Sequence, residues 1–159
     1  MITLLSPTRT MNMSPVSGTY PPATTPQFLS EAERIISGVK KLSAKELEGQ
    51  MNLSQKIAEN DFQYFQQFDL PTTIQKQAVL AYSGTIYQKL DASTFKEKDF
   101  LYAQQHLRII STLYGILRPL DAIKAYRLMF SLKVPDLGTK DLYQFWQPII
   151  TKALIDDIV

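Results

Sequence analysis

The chain contains no cysteine and only one histidine in 159 residues, and each shortage excludes a class of protein. Without cysteine there is no disulfide framework and no thiolate metal site, and one histidine disfavours a zinc centre. No stretch of eighteen apolar residues passes without a charge, and the apolar run at 1–5 is too short for a secretory signal. We therefore expect a soluble protein in the reducing cytoplasm, without a membrane partner.

Motifs for the common catalytic and cofactor sites are also missing. The chain has no Gly-rich nucleotide loop and no HExxH, GxSxG or EF-hand pattern, so we predict no catalytic residue, no cofactor and no metal. The net charge is only +2, which means that nucleic-acid binding would need a local cluster of basic residues. A hydrophobic share of 45% is enough for one domain over residues 1–159.

Strand and helix patterns alternate along the chain, which favours a mixed α/β fold with a mixed sheet, flanking helices and some parallel pairing. Capping boxes at Ser30 with Glu33 and at Ser43 with Glu46, and a cap at Ser54, mark three helix starts. The pattern predicts strands at 2–5, 78–82, 107–113 and 126–134, and helices at 30–41, 44–51, 54–68, 99–106 and 141–158. Residues 11–27, rich in proline, serine and threonine, are expected to run extended and are the only part suited to disorder.

The stretch 104–132, QQHLRIISTLYGILRPLDAIKAYRLMFSL, places three arginines among apolar residues. Arg108, Arg118 and Arg127 stay charged at any cellular pH, and a guanidinium in semi-buried surroundings needs an anion or hydrogen-bond acceptors opposite it. The stretch therefore indicates an anionic ligand. The single histidine, His106, has no second ligand near it and is expected to be a packing residue.

This stretch resembles the signature of the YaaA family of bacterial peroxide stress resistance proteins. Three further segments are similar in the same order, namely LLSPTRT at 4–10, AYSGTIYQKL at 81–90 and KDLYQFWQPIIT at 140–151. The resemblance implies a cytosolic protein of the oxidative stress response that binds DNA and helps to limit intracellular iron. Family members are longer, so we expect this chain to lack their C-terminal part.

The resemblance also implies a helix-hairpin-helix element, which we place at 43–68. Such hairpins aim backbone N–H groups at phosphate oxygens, a contact that does not depend on base sequence and suits duplex DNA. The connection QMNLS lacks the glycines of the commonest version, so a plain αα-hairpin is the alternative. The residues predicted to bind nucleic acid or another anion are Arg9, Lys45, Asn52, Ser54, Lys56, Arg108, Arg118 and Arg127.

A second hypothesis is an enzyme or binding pocket for a small nucleotide, nucleobase or phosphate, built around the SPTRT loop and the RPLD segment. The SPTRT loop follows a predicted strand, where α/β folds bind ligands, and Asp121 is close enough to orient Arg118. The predicted pocket residues are Ser6, Thr10, Gly84, Tyr87, Asp121 and Tyr126, next to Arg9, Arg118 and Arg127. A structural turn at SPTRT and a purely structural Arg118–Asp121 bridge are the alternatives.

The chain departs from the family pattern at several of these positions. Arg9 stands where lysine is usual, Met129 where glutamate is usual, and Thr85 and Lys89 replace what resemble aspartate and glycine. The loss of the acid at position 129 removes a candidate general acid or base, which weakens a catalytic interpretation. A third hypothesis, a scaffold or a fragment without function, would hold if internal acidic partners occupied every arginine.

Overall fold

Two strands that are distant in sequence pair in parallel in the larger sheet. In the computed structural model, which describes residues 1–158, strand β1 (Thr3–Leu5) pairs in parallel with β3 (Leu107–Ser111), so that Thr3 lies opposite Leu107 and Leu5 opposite Ile109. Strand β4 (Gly115–Leu117) returns antiparallel to β3 after a tight turn, which gives the order β1-β3-β4. The sheet is therefore mixed, as the sequence predicted.

A second sheet of two strands and seven helices complete the described part of the chain. Strand β2 (Lys76–Gln77) pairs antiparallel with β5 (Ala122–Ile123). The helices are α1 (Leu29–Val39), α2 (Ala44–Met51), α3 (Gln55–Gln66), α4 (Ala78–Ala81), α5 (Thr85–Leu90), α6 (Glu97–His106) and α7 (Leu142–Ile158), with a 3₁₀ turn at Ala92–Thr94. Helices α2 and α3 form the predicted hairpin. The mixed α/β class in one domain is confirmed.

The core joins the helices to the sheets. Helix α1 has a strongly amphipathic sequence and buries Ile35, Ile36 and Val39, while Phe65 of α3 and Trp146 of α7 are also almost inaccessible to solvent. The indole Nε1 of Trp146 donates a 2.8 Å hydrogen bond to the carbonyl of Thr112, which follows β3. This bond satisfies the one polar atom of the indole and ties α7 to the end of the central strand.

Three predictions of local structure were wrong. Residues 78–81 form the helical turn α4 instead of a strand. The prediction failed because a short apolar run does not distinguish a strand from a buried helical turn. Residues 126–134 alternate in burial but form no regular strand, since no neighbouring strand supplies a ladder. Helix α1 begins at Leu29, and Ser30 makes no capping bond, because Phe28 is the N-cap residue and packs edge-on against Trp146.

Residues 11–27 contain no helix and no strand, as predicted, but two isolated bridges attach them to the fold. Met11 pairs with Tyr82, and Thr24 pairs with Asp121. The buried ammonium of Lys76 donates 2.8 Å hydrogen bonds to the carbonyls of Asn12 and Ser14, and its burial lowers the pKa of Lys76. The segment is thus fixed by contacts from distant residues that its own composition does not reveal.

Over residues 1–158, no helix combines the length and the hydrophobicity that a membrane crossing requires.

Gly115 provides a test of this packing. Its φ of +76° lies in the left-handed region, and an added Cβ would lie 2.4 Å from the Trp146 ring. We expect Gly115→Ala to lower the free energy of unfolding by roughly 2–5 kcal/mol, because backbone strain and overpacking add. Gly49→Ala in α2 is the control, since nothing lies within 4 Å of its added Cβ. Urea unfolding should show Gly49→Ala unchanged or slightly more stable, and equal stability of Gly115→Ala and the wild type would contradict the packing.

Candidate functional site

The candidate site lies at the carboxyl ends of β1 and β3. Because these strands are parallel neighbours, the SPTRT loop after β1 and Thr112 after β3 meet at the same edge of the sheet. A cavity of about 410 Å³ opens there between Pro7, Thr8 and Arg9 of the loop, Thr112, and residues 128–131. The structure therefore places the predicted loop at the end of the sheet where ligands bind in α/β folds.

A second cavity, of about 150 Å³, adjoins the first at Arg9. Its lining residues are Arg9, Met11, Met13, Tyr64, Ala125, Tyr126 and Arg127. Arg9 and Arg127 are separated by more than a hundred residues in sequence, yet they line the same cavity, and Tyr64 brings α3 of the hairpin to its wall. We call the two cavities together the arginine cleft.

The SPTRT loop is held in place by a close approach of the chain at Gly84. An added Cβ at Gly84 would lie 2.4 Å from the Thr8 hydroxyl oxygen, so any larger residue would force the Thr8 side chain to move. The Ser83 amide donates a 2.9 Å hydrogen bond to the Thr10 carbonyl, and the Tyr87 hydroxyl donates one of 3.3 Å to the Ser6 carbonyl. Ser6, Thr10, Gly84 and Tyr87 therefore support the loop and do not line the cleft.

Buried hydroxyl groups fix the position of Tyr126 beneath the cleft. The Tyr126 hydroxyl lies 2.6 Å from the Tyr82 hydroxyl and 2.7 Å from Ser111 Oγ at the end of β3. Burial raises the pKa of Tyr82 and the pKa of Tyr126, so both phenols stay neutral at physiological pH. Because Tyr126 is anchored in this way, the next residue, Arg127, is held at the cleft wall.

The four predicted arginines divide into two pairs. Arg108 is engaged internally, since its Nε donates to Asp157 at 2.9 Å and its Nη1 donates to the carbonyls of Gln104 and Leu107. Arg118 Nη2 donates to Asp121 at 3.0 Å and to the Thr25 carbonyl at 3.1 Å. Within the described residues, neither the Arg9 nor the Arg127 guanidinium forms a hydrogen bond or an ion pair. These two groups are the ones available to an anion.

Arg118 and Asp121 lie outside the arginine cleft. Asp121 is fully buried and accepts hydrogen bonds from the Arg118 backbone amide at 2.8 Å and from the Thr24 hydroxyl at 2.6 Å, besides the one from the Arg118 guanidinium. A carboxylate with this number of donors fastens the 118–121 turn to the segment around Thr24. The geometry matches the structural alternative for this pair.

Asp61 is a residue of the site that sequence reasoning missed. It lies on α3 one turn before Tyr64, is 1% exposed, and neither carboxyl oxygen has a hydrogen-bond partner among the described residues. Burial raises its pKa to about 7, and the charge of Arg127, together with the Arg127 backbone amide, opposes that rise. An acid among the apolar positions Ala58, Phe62 and Phe65 of one helix was the available signal.

The hairpin adopts the predicted caps but is not basic. Ser43 and Glu46 form a full capping box, Asn52 ends α2 with a left-handed φ of 51°, and Ser54 Oγ accepts from the Ile57 amide at 3.2 Å. Lys45 and Lys56 are exposed. The segment 43–68 nevertheless has four acidic residues, Glu46, Glu48, Glu59 and Asp61, against these two lysines. The hairpin by itself therefore carries no excess of positive charge.

His106 is a packing residue, as expected. Its ring stacks on Tyr102, with centroids 4.4 Å apart, and Nδ1 lies 3.0 Å from the Met1 carbonyl. Over residues 1–158, no group of three or more histidine, aspartate or glutamate side chains is placed to hold a metal ion.

Comparison with known proteins gives consistent matches along the chain. The family described as peroxide stress protein YaaA matches residues 1–159. A UPF0246 protein of Parabacteroides distasonis is 39% identical over 159 residues, which cover 99% of this chain and 62% of that protein. UPF0246 proteins of Bacteroides thetaiotaomicron and Bacteroides fragilis are 41% and 40% identical, over 99% of this chain and 61% of each relative. The chain thus spans a little over three-fifths of the length of these curated relatives.

The buried carboxyl of Asp61 leads to a prediction about pH. Its folded pKa of about 7 exceeds the ordinary value of 3.8, so the folded state holds this proton more tightly than the unfolded state. The free energy of unfolding should therefore fall as pH rises from about 4 to 7, by roughly 2–4 kcal/mol from this group. Asp61→Asn should remove that part of the slope, as measured by urea unfolding at pH 5 and pH 8.

Glu59→Gln is the matched control, because it removes an exposed carboxylate from the same helix. This variant should keep the slope of the wild type. A slope in Asp61→Asn as steep as that of the wild type would show that Asp61 ionises normally in the folded protein.

Proposed function

The chain belongs to the family of peroxide stress protein YaaA, and on that premise we propose that it binds duplex DNA through phosphate contacts. The supporting observation is the arginine cleft. In the described part of the chain the Arg9 and Arg127 guanidinium groups form no direct hydrogen bond or ion pair, although the Arg127 charge acts on Asp61, and they share a cavity whose wall includes Tyr64 of the hairpin helix α3. Guanidinium groups of this kind bind phosphate oxygens with two parallel N–H donors.

Helix α3 connects the hairpin turn to the cleft. Lys56, Asn60 and Tyr64 are spaced four residues apart and therefore lie along one side of the helix, over a length of about 12 Å. The first amides of a helix have no intrahelical partner, and at α3 the Ser54 side chain satisfies only that of Ile57. We expect the free amides of Gln55 and Lys56 to bind one phosphate, and the two arginines to bind another phosphate of the same DNA strand.

The acidic character of the hairpin shapes the binding that we propose. Two arginines and a few backbone amides would contact phosphates and not base edges. The affinity for duplex DNA should therefore be modest and nearly independent of base sequence. It should also fall steeply with salt, because each neutralised phosphate releases counterions. In this proposal the hairpin supplies backbone amides that position one phosphate, and the cleft supplies the positive charge.

A small anionic ligand is the second candidate function, and the larger cavity favours it. The cavity of about 410 Å³ presents the Thr8 and Thr112 side chains beside Arg9. Such a volume suits a nucleotide or a smaller phosphate. The expected convergence of Arg118 and Asp121 on this pocket is absent, and the cleft borders the hairpin, so we place DNA first. Competition of inorganic phosphate or a nucleoside monophosphate with duplex, at constant ionic strength, separates the two functions.

A cytoplasmic location and a part in limiting intracellular iron, which the family resemblance implies, belong to the same proposal. Cell fractionation, and measurement of chelatable iron in cells with and without the gene during peroxide exposure, would test them.

Single substitutions of the cleft arginines test DNA binding directly. Arg9→Gln and Arg127→Gln should each weaken duplex binding roughly tenfold to a hundredfold at low salt, since each removes charged hydrogen bonds to phosphate. Each should also reduce the slope of log affinity against log salt by about 1. Fluorescence anisotropy of a labelled duplex at two salt concentrations measures both effects.

Lys98→Gln removes the same charge from an exposed position on α6 that lines neither cavity, and it should bind almost as the wild type does. Thermal unfolding of all three variants checks that the fold is intact. Wild-type affinity in both arginine variants, or binding that does not respond to salt, would refute the proposed interface.

A further inference from the structure

Methionines surround the free arginines. The chain has five methionines and no cysteine, and three of the five line the arginine cleft. Met11 and Met13 share the smaller cavity with Arg9 and Arg127, and Met129 lines the larger cavity beside Arg9. All three are only partly buried, whereas Met51 is 2% exposed in the core.

We propose that hydrogen peroxide oxidises Met11, Met13 and Met129 to sulfoxides, and that this modification weakens anion binding at the arginine cleft. In each step the Sδ atom attacks one peroxide oxygen with a lone pair and the O–O bond breaks. The sulfur forms a bond to that oxygen and is oxidised by two electrons. The proton carried by the bonded oxygen passes to the second oxygen, which leaves as water. The product is reversible, because sulfoxide reductases restore the thioether.

The chemistry of the cleft explains why oxidation acts on Arg9 and Arg127. A thioether is a weak acceptor and leaves a neighbouring guanidinium free, whereas a sulfoxide oxygen is a strongly polar acceptor. The smaller cavity holds only about 150 Å³, so a sulfoxide on Met11 or Met13 is within reach of guanidinium donors in the same space. Once an arginine donates to a sulfoxide, a phosphate must displace that bond.

The absence of cysteine supports methionine as the group that hydrogen peroxide oxidises. Thiolates normally react with peroxide before thioethers do, and this chain offers none. Among its sulfur atoms, exposure then decides the order of reaction. Met1 is fully exposed and lies outside the cleft, while Met51 is enclosed by the core, so each serves as an internal reference.

The test treats the folded chain with hydrogen peroxide and maps sulfoxides by peptide mass spectrometry. Met11, Met13 and Met129 should be oxidised while Met51 stays reduced. Duplex affinity should then fall about fivefold for each arginine that donates a new hydrogen bond to a sulfoxide, and it should recover after treatment with both sulfoxide reductases. The variant Met11→Leu/Met13→Leu/Met129→Leu keeps side-chain volume and cannot form these sulfoxides. Its affinity should not respond to peroxide, although Met1 is still oxidised.

The inference rests on the proposed function only for the DNA readout. A second readout is independent of DNA, namely the ¹H–¹⁵N resonances of Arg9 and Arg127 Nε in labelled protein. A shift on oxidation in the wild type, absent in the triple variant, supports the modification even if no duplex binds. Unchanged arginine resonances, cleft methionines that stay reduced while Met1 reacts, or an equal loss of affinity in the triple variant would overturn it.

Discussion

Parallel pairing of β1 with β3 is the constraint on which the site depends. A strand of three residues at the start of the chain lies beside one that begins at Leu107, and their parallel direction brings both carboxyl ends to one edge. The SPTRT loop and Thr112 meet for this reason alone. Gly84 then lets the chain approach Thr8 closely, and the hydroxyl chain from Ser111 to Tyr126 holds the opposite wall. None of these residues needs to touch a ligand to determine where Arg9 and Arg127 lie.

The internal partners of the arginines distinguish those with a structural role from those available to a ligand. Arg108 and Arg118 have carboxylate and carbonyl partners, and such saturated groups are typical of guanidinium that fastens one element to another. Arg9 and Arg127 lack them within the described residues. Asp61 is the reverse case, a buried acid whose desolvation is only partly offset by the charge and the backbone amide of Arg127. A buried acid beside a single guanidinium, that of Arg127, is costly for stability, and such costs are commonly found at functional sites.

The hairpin and the cleft are neighbours because Tyr64 of α3 lines the smaller cavity. On its own the hairpin is acidic and would repel phosphate, which makes it a poor nucleic-acid module by charge. Tyr64 of α3 lines the smaller cavity of the arginine cleft, so the hairpin borders a cavity that carries two arginines. Three of the five methionines of the chain line the same cleft. The arginines that we propose to bind phosphate and the methionines that we propose to be oxidised therefore line the same cleft, in a member of a peroxide stress family.

The sequence by itself determined the helices whose signals are local. The Ser43–Glu46 box and the Ser54 cap lie three residues or fewer from the amides that they satisfy, and both ends form as predicted. The β-branched run after His106 likewise becomes β3. Only the tertiary structure decided the state of residues 78–82 and 126–134, because a strand needs a neighbour that no local pattern specifies. It also decided which guanidinium groups lack direct hydrogen bonds and that Asp61 is buried beside Arg127. A guanidinium or carboxyl is saturated or not according to groups that folding brings from distant parts of the chain, and that information is absent from local spacing.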